Sequence, residues 1–220
     1  MTDRFETGTF AGTELACIRG ERRLFRGLGF ALEPGAALVL TGPNGSGKSS
    51  LLRLLAGLLP PAAGDLTWNG RPVADDREAQ RARLLYLGHQ EGLKPTLTVG
   101  EMLRLHALLR GAPGDPGAAL DALGIGGLID LPGRFLSAGQ RRRVGLARLL
   151  LCPAPLWLLD EPTVGLDATG LAAFRAIAAS HRRAGGAIVA ATHAELGLTG
   201  ARSLAPVDFA PAQAMLEDVA

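Results

Sequence analysis

Apolar residues recur along this chain in short continuous runs, which are separated by longer stretches with helical periodicity. A short, continuous apolar run is typical of a strand buried on both faces, whereas apolar positions three and four residues apart are typical of an amphipathic helix. Because strands and helices alternate, we expect a mostly parallel sheet with functional groups at the carboxyl ends of its strands. The predicted strands are 36–40, 84–87, 156–159 and 187–191, and the predicted helices are 51–59, 139–151 and 169–183.

The chain before residue 36 has a different pattern, in which short apolar segments are separated by turns. Segments 15–18 and 25–32 precede the turn Glu33-Pro34-Gly35. Further on, 66–68 precedes Asn69-Gly70, a pair typical of a two-residue hairpin turn. The pattern predicts a small antiparallel sheet that leads into the strand at 36–40.

A helical segment interrupts the alternation at about 99–145. Its periodicity runs from Val99 to about Leu131 and is broken by a loop rich in glycine and proline at 111–117. Ser137 is placed to cap the helix that follows. We predict one α/β domain, residues 1–220, with a small N-terminal antiparallel β subdomain and an inserted α-helical subdomain.

Composition excludes several classes of function. The chain has 23 Lys and Arg against 21 Asp and Glu, and a net charge of +2 is too small to indicate nucleic-acid binding. Cys17 and Cys152 lie in apolar stretches and are expected to be buried and reduced. Neither a signal peptide nor a membrane span is visible, because the most apolar stretch, 149–159, is short and broken by prolines. We expect a soluble protein that reaches a membrane only through a partner.

The segment from Gly42 to Ser50 carries the strongest chemical signal. A glycine, four further residues and Gly47-Lys48-Ser49 lie between a predicted strand and a predicted helix, which is the context that a phosphate-binding loop requires. Glycines let backbone N–H groups face an anion, and the helix dipole adds its positive end. Lys48 is expected at the β- and γ-phosphates and Ser49 on Mg²⁺. The residues expected to bind nucleotide are Gly42, Pro43, Asn44, Gly45, Ser46, Gly47, Lys48, Ser49 and Ser50.

A phosphate loop alone leaves kinases, GTPases and many ATPases open, and five further elements narrow the choice. They are Gln90, Leu136-Ser137-Ala138-Gly139-Gln140, Leu156-Trp157-Leu158-Leu159-Asp160-Glu161, Gly165-Leu166-Asp167 and His193. In order and spacing they resemble the Q-loop, signature, Walker B strand, D-loop and switch histidine of the ABC ATPase family, over nearly the whole chain. The resemblance implies a P-loop NTPase core that binds ATP and Mg²⁺ and hydrolyses ATP.

Three of these residues have the chemistry of hydrolysis. Asp160, at a strand end, can bind Mg²⁺ together with Ser49. Glu161 can act as general base or orient the attacking water, and His193 can hydrogen-bond a γ-phosphate oxygen. By the resemblance, Gln90 is a further catalytic residue and ligand of Mg²⁺.

A second anion site is expected where Ser137 and the N–H of Gly139 begin a helix. By the resemblance, this site, with Gln140, faces the ATP of another subunit, so that two chains in a homodimer enclose two nucleotides. Ala138 replaces the first glycine of the signature pair, which is a mild change if that residue is helical.

The adenine end departs from the family pattern. Where the family usually has an aromatic residue that stacks on the base, this chain has Arg19, and no aromatic lies between Phe10 and Phe25. The planar guanidinium of Arg19 can stack on the base. A solvent-exposed arginine without this role is the alternative.

The segment 87–98 resembles one subfamily, the ATP-binding subunits of cytochrome c biogenesis complexes, long described as haem exporters. Those proteins share its Gly-His-Gln, Gly-x-Lys and Leu-Thr, and a Ser-Ala-Gly-Gln signature followed by arginines, here 141–143. We expect this arginine run on a solvated helix face or interface rather than on nucleic acid. The resemblance implies a subunit at the cytoplasmic face of the bacterial inner membrane, docked on integral membrane ABC subunits. The alternatives are the ATPase of another ABC exporter and a non-transport ABC ATPase.

Overall fold

The protein is described by a computed structural model over residues 5–89, 92–112 and 114–211. Strands and α-helices alternate through most of this range. The strands are β1 (Phe10–Arg19), β2 (Arg22–Leu32), β3 (Ala37–Leu40), β4 (Ala63–Trp68), β5 (Arg71–Pro72), β6 (Leu84–Leu87), β7 (Leu156–Asp160), β8 (Ala187–Ala191) and β9 (Arg202–Leu204). The α-helices are α1 (Lys48–Leu55), α2 (Arg77–Arg83), α3 (Val99–Leu109), α4 (Pro116–Asp121), α5 (Ala138–Leu151) and α6 (Ala168–Arg183).

The strands form two sheets. One is antiparallel, in the order β2-β1-β4-β5, and the other is parallel, in the order β6-β7-β8-β3-β9. Helices α3, α4 and α5 pack together between the β6 and β7 segments of the chain. The predicted α/β fold class, with its N-terminal antiparallel sheet and inserted helices, is confirmed.

The central strands β7 and β8 are buried along their whole length. Because successive side chains of a strand point to opposite faces, each strand contributes to two cores. Trp157 and Ile188 pack with α5, α6 and the inserted helices, whereas Leu158 and Val189 pack with α1 and the antiparallel sheet. The parallel sheet is therefore covered on both faces, as its continuous apolar runs predict.

Helix α1 begins at Lys48, three residues earlier than the apolar pattern predicts, and ends at Leu55. It starts early because Gly47, at φ 98°, lets the polar phosphate loop turn directly into the helix. It ends early at a Schellman motif, in which Leu58 N–H donates to Arg53 O at 2.9 Å and Gly57 adopts φ 70°.

Side-chain caps fix where the inserted helices begin. Ser137 caps α5, as predicted, and Gln140 completes a capping box by accepting from Ser137 N–H at 2.8 Å. The helical pattern from Val99 to Leu131 is divided into α3, α4 and a short 3₁₀ turn at 126–128, and Asp115 caps α4. Within the described residues, no helix is both long and apolar enough to cross a bilayer.

A histidine is buried against the face of the parallel sheet that α5 and α6 cover. His181, on α6, is 6% exposed and stacks on Trp157 of β7, with ring centroids 3.7 Å apart and planes 6° from parallel. Burial lowers the pKa of His181 to about 4, against a smaller opposing effect of a hydrogen bond with the backbone of Ala187. The folded protein therefore holds this ring neutral at a pH where the unfolded chain protonates it.

We predict that His181→Phe makes folding less sensitive to acid. The neutral ring contributes fully above pH 6.5, the ordinary pKa, and that contribution is lost as the pH falls towards about 4. Phenylalanine retains a ring on Trp157 and cannot titrate. In urea unfolding at several pH values, stability should fall less steeply in the variant, by up to roughly 1.4 kcal/mol per pH unit between these limits. Equal slopes in the two proteins would contradict the assignment.

Candidate functional site

The predicted site residues follow the carboxyl ends of three neighbouring strands, at one edge of the parallel sheet. Leu40, Ala191 and Asp160 are register partners across β3, β8 and β7. The phosphate loop follows β3, Glu161 follows β7, and Thr192-His193 follows β8. Because parallel strands end on the same edge, residues far apart in sequence meet there.

The ammonium of Lys48 is hydrogen-bonded to backbone carbonyls of the phosphate loop that carries it. Lys48 Nζ donates to Gly42 O at 2.6 Å and to Pro43 O at 2.9 Å, and the side chain is 8% exposed. Gly47, at the start of α1, has φ 98°, and a Cβ there would lie 3.4 Å from the Phe25 ring. The Lys48 ammonium therefore lies close to the N-terminus of α1. A cation and the positive end of a helix dipole together suit the binding of an anion.

Asp160 lies beside the phosphate loop as the predicted metal ligand. Its side chain is 3% exposed, and Ser49 Oγ donates to its Oδ1 at 3.1 Å. A carboxylate and a hydroxyl oxygen are donors that Mg²⁺ prefers. Ser49 and Asp160 can therefore hold a divalent cation next to the loop.

The side chains of Glu161 and His193 lie close to each other and to the phosphate loop. Glu161 has φ 49°, which is uncommon for a residue other than glycine, and its N–H donates to Ala191 O at 2.8 Å. His193 Nε2 lies 3.9 Å from Glu161 Oε1, 3.2 Å from Lys48 Nζ and 3.1 Å from Asn44 Oδ1. Backbone strain at a strand end is common at functional sites. The strained turn places the Glu161 carboxylate close to the imidazole.

A cavity of about 440 Å³ contains most of these groups. Arg19 lines it, as the adenine prediction requires. Sequence reasoning missed Arg22, Leu24 and His89. Arg22 is the cross-strand partner of Arg19, so a hairpin at Gly20-Glu21 was the signal that could have found it. The cavity is lined by Arg19, Arg22, Leu24, Asn44, Gly45, Gly47, Lys48, Ser49, Ser50, His89, Asp160, Glu161 and His193.

Gln90, predicted as a catalytic residue and metal ligand, lies outside the described residues. Its predecessor His89 lines the cavity. Gly42, Pro43 and Ser46 belong to the same loop without lining the cavity, and the first two contribute the carbonyls that bind Lys48.

The signature residues lie in a different cavity. Ser137, Gly139 and Gln140 line a space of about 570 Å³ together with Asp167 and Arg143. Among the residues that the structure describes, none lines both cavities. Within one chain, the structure therefore does not bring the signature residues to the phosphate loop.

The signature helix and the D-loop are packed closely. A Cβ on Gly139 would lie 2.6 Å from Gly165 O, so the backbones could not approach this closely with any larger residue. Ala138 is the first residue of α5, so its replacement of glycine is mild, as expected. Asp167 caps α6 by accepting from Gly170 N–H at 2.7 Å and forms a salt bridge with Arg143. The hydrogen bond from Gly170, and then the Arg143 charge, hold the pKa of Asp167 below its usual value.

Arg142, in the middle of the arginine run, is buried and does not lie on a solvated helix face. Arg142 is 3% exposed, and its guanidinium donates to Gly88 O at 3.3 Å and His89 O at 3.4 Å. Arg141 donates to Leu136 O at 2.6 Å. The guanidinium of Arg142 is therefore bonded within the protein, as buried donors usually are.

Comparison with known proteins identifies the family to which this geometry belongs. The sequence model of the family described as ABC transporter matches residues 25–164, from the antiparallel sheet to just beyond Glu161. The chain belongs to the ABC transporter family. As a member, it binds ATP.

Relatives of this ABC protein include two with a more specific name. "Cytochrome c biogenesis ATP-binding export protein CcmA" of Paramagnetospirillum magneticum is 52% identical over 212 residues, which cover 93% of this chain and 97% of the relative. The protein of the same name from Rhodospirillum rubrum is 54% identical, covering 92% of this chain and 87% of the relative. The predicted subfamily resemblance is therefore confirmed.

Solved structures confirm the ABC fold. "Structure of ATP binding subunit of ABC transporter" matches with a TM-score of 0.76 at 25% identity, covering 84% of this chain and 79% of that chain. "Structure of a bacterial Atm1-family ABC exporter with ATP bound" has a TM-score of 0.75 at 24% identity, covering 91% of this chain and 37% of that chain.

We predict that Gly139→Ala destabilises the protein. The new Cβ would collide with Gly165 O, and this overpacking exceeds the gain in helix propensity, giving a net loss of about 1 kcal/mol. Gly127 lines the same cavity, but a Cβ there would have no atom within 4 Å, so Gly127→Ala is a matched control. Chemical denaturation should place the control within about 0.5 kcal/mol of the wild type. A Gly139→Ala variant as stable as the control would show that the contact with the D-loop is loose.

Proposed function

We propose that this chain is the ATP-hydrolysing subunit of a membrane complex for cytochrome c biogenesis, in which it energises the handling or export of haem. The main support is identity of 52% and 54% to two "Cytochrome c biogenesis ATP-binding export protein CcmA" relatives over nearly the whole chain. In this proposal, residues 1–220 act as one nucleotide-binding domain.

The phosphate-loop cavity supports a role for ATP with Mg²⁺. On nucleotide binding, the Lys48 ammonium would exchange the carbonyls of Gly42 and Pro43 for phosphate oxygens. Ser49 and Asp160 would hold Mg²⁺, which offsets the charge that develops during phosphoryl transfer. Gln90 is proposed as a further ligand.

Glu161 is proposed as the general base or as the residue that orients the attacking water. Its carboxylate is partly buried, with 17% of the side chain exposed, and lies at the mouth of the phosphate loop. A carboxylate so placed can accept a proton from water as the phosphorus–oxygen bond forms. His193 Nε2, which lies 3.1 Å from Asn44 Oδ1 and 3.2 Å from Lys48 Nζ, would bond a γ-phosphate oxygen instead.

The separation of the two cavities supports a composite site in a homodimer. The signature residues Ser137, Gly139 and Gln140 would form an anion site at the N-terminus of α5. Over the described part of the chain, the cavity that they line shares no residue with the phosphate-loop cavity. A second chain, placed head to tail, would bring its signature to the first chain's phosphate loop. Each pair of chains would then enclose two nucleotides.

Arg19 and Arg22 are proposed to hold the base. Both line the cavity at the end of the β1–β2 hairpin, where the family usually has an aromatic residue. A planar guanidinium can stack on a base while its edge donates hydrogen bonds. Leu24 adds an apolar surface to the same end of the cavity.

Membrane partners follow from the family. No helix of the described residues could span a bilayer, and the two relatives carry the word "export" in their names. We propose that the chain docks on integral membrane subunits at the cytoplasmic face of the bacterial inner membrane, so that its contact with the bilayer is indirect.

We predict that the full chain, affinity-tagged and purified from detergent-solubilised membranes, recovers the membrane subunits of a cytochrome c biogenesis complex, and that the complex hydrolyses ATP. Mass spectrometry identifies the partners, and phosphate release measures turnover. Recovery of the subunits of another exporter, or of ribosomes, would contradict the proposal in favour of the corresponding alternative.

The matched control is the same complex with Glu161→Gln. Glutamine has nearly the same shape but cannot accept the proton, so turnover should fall by about 10²-fold or more while ATP binding remains. Normal turnover would show that Glu161 is not the catalytic base.

A further inference from the structure

A buried arginine connects the signature helix to the segment that borders the phosphate-loop cavity. Arg142 lies on α5, one helical turn after Gly139, and its guanidinium donates to the carbonyls of Gly88 and His89. These two residues follow β6 and lead into residue 90, and His89 lines the phosphate-loop cavity. One side chain therefore contacts the border of the nucleotide cavity from the helix that carries the signature.

The contact is local to this arginine of the run. Arg141 bonds the carbonyl of Leu136, the first residue of the signature, and Arg143 bonds Asp167 and the carbonyl of Leu123. The three consecutive arginines thus connect α5 to four different segments. Arg142 supplies the connection to the segment at 88–89.

Burial makes this connection selective for arginine. Removing a charged group from water is costly, and an apolar side chain at this position would be cheaper for stability alone. Two carbonyls spaced along the chain match the two-pronged guanidinium, whereas a lysine ammonium is a single point charge. Without the arginine, the carbonyls of Gly88 and His89 would lose these two donors.

We propose that Arg142 is a positioning residue that makes the segment 88–89 and the signature helix move as one unit. Nucleotide entering the cavity at His89 then shifts Ser137 and Gly139, which serve the partner's nucleotide. The proposal rests on the proposed function, because it requires that the phosphate-loop cavity bind nucleotide. It adds a physical route by which one nucleotide site reports its occupancy to the other.

Hydrogen–deuterium exchange of the full chain tests this coupling. The probe is a non-hydrolysable ATP analogue with Mg²⁺, at a concentration where light scattering shows a monomer, so that contacts between subunits cannot contribute. In the wild type, we expect the analogue to slow exchange at 42–50 and to change exchange at 137–147. In Arg142→Met, the change at 42–50 should remain and the change at 137–147 should fall to less than about half.

Two further variants control for a purely structural effect. Arg81→Met removes an exposed arginine on α2 and should respond as the wild type does. Arg142→Lys retains the charge and should recover only part of the response at 137–147. If Arg142→Met does not fold, the lysine variant decides the test, and a full wild-type response in it overturns the proposal.

The outcomes separate this proposal from the proposed function. An unchanged response at 137–147 in Arg142→Met, or no response there in the wild type, overturns the coupling while protection at 42–50 upholds nucleotide binding. Absence of protection at 42–50 in the wild type overturns nucleotide binding itself, and the coupling with it.

Discussion

The parallel pairing of β7, β8 and β3 is the constraint on which the site depends. Their last residues are aligned in register, and the hydrogen-bond ladder continues one step further, from Glu161 N–H to Ala191 O. A slip of one residue would exchange the side chains on the two buried faces of β7 and move Asp160 away from Ser49. The burial of these strands on both faces therefore fixes where the carboxylates lie relative to the phosphate loop.

The signature and the D-loop are held together by close packing rather than by strand register. Gly139 lies against Gly165, and Arg143 connects α5 to Asp167, so the signature and the D-loop form one surface. That surface is separate from the phosphate loop of the same chain. Under the proposed function, each chain carries two incomplete sites, which a second copy of the chain would complete.

Much of this organisation could be predicted from sequence, because the decisive patterns are local. The apolar runs predicted β6 and β8 with the bounds that the structure has, and capping by Ser137 predicted the start of α5 to within one residue. Other features depend on tertiary contacts that leave no pattern. The short, exposed strand β9 pairs only at the sheet edge, and the burial of Arg142 contradicts the usual behaviour of a charged run. The roles of Arg19 and Gln90 remain predictions from their positions in the chain.

Complementation between two inactive variants tests the composite site most directly. Lys48→Ala disables the phosphate loop and leaves the signature intact, whereas Gly139→Asp places a negative charge in the signature and leaves the loop intact. In a mixed dimer, one site combines an intact loop with an intact signature. We predict that each variant alone is inactive and that mixing them in the assembled complex restores ATP hydrolysis. Mixtures as inactive as the separate variants would contradict the claim that each ATP is enclosed by two chains.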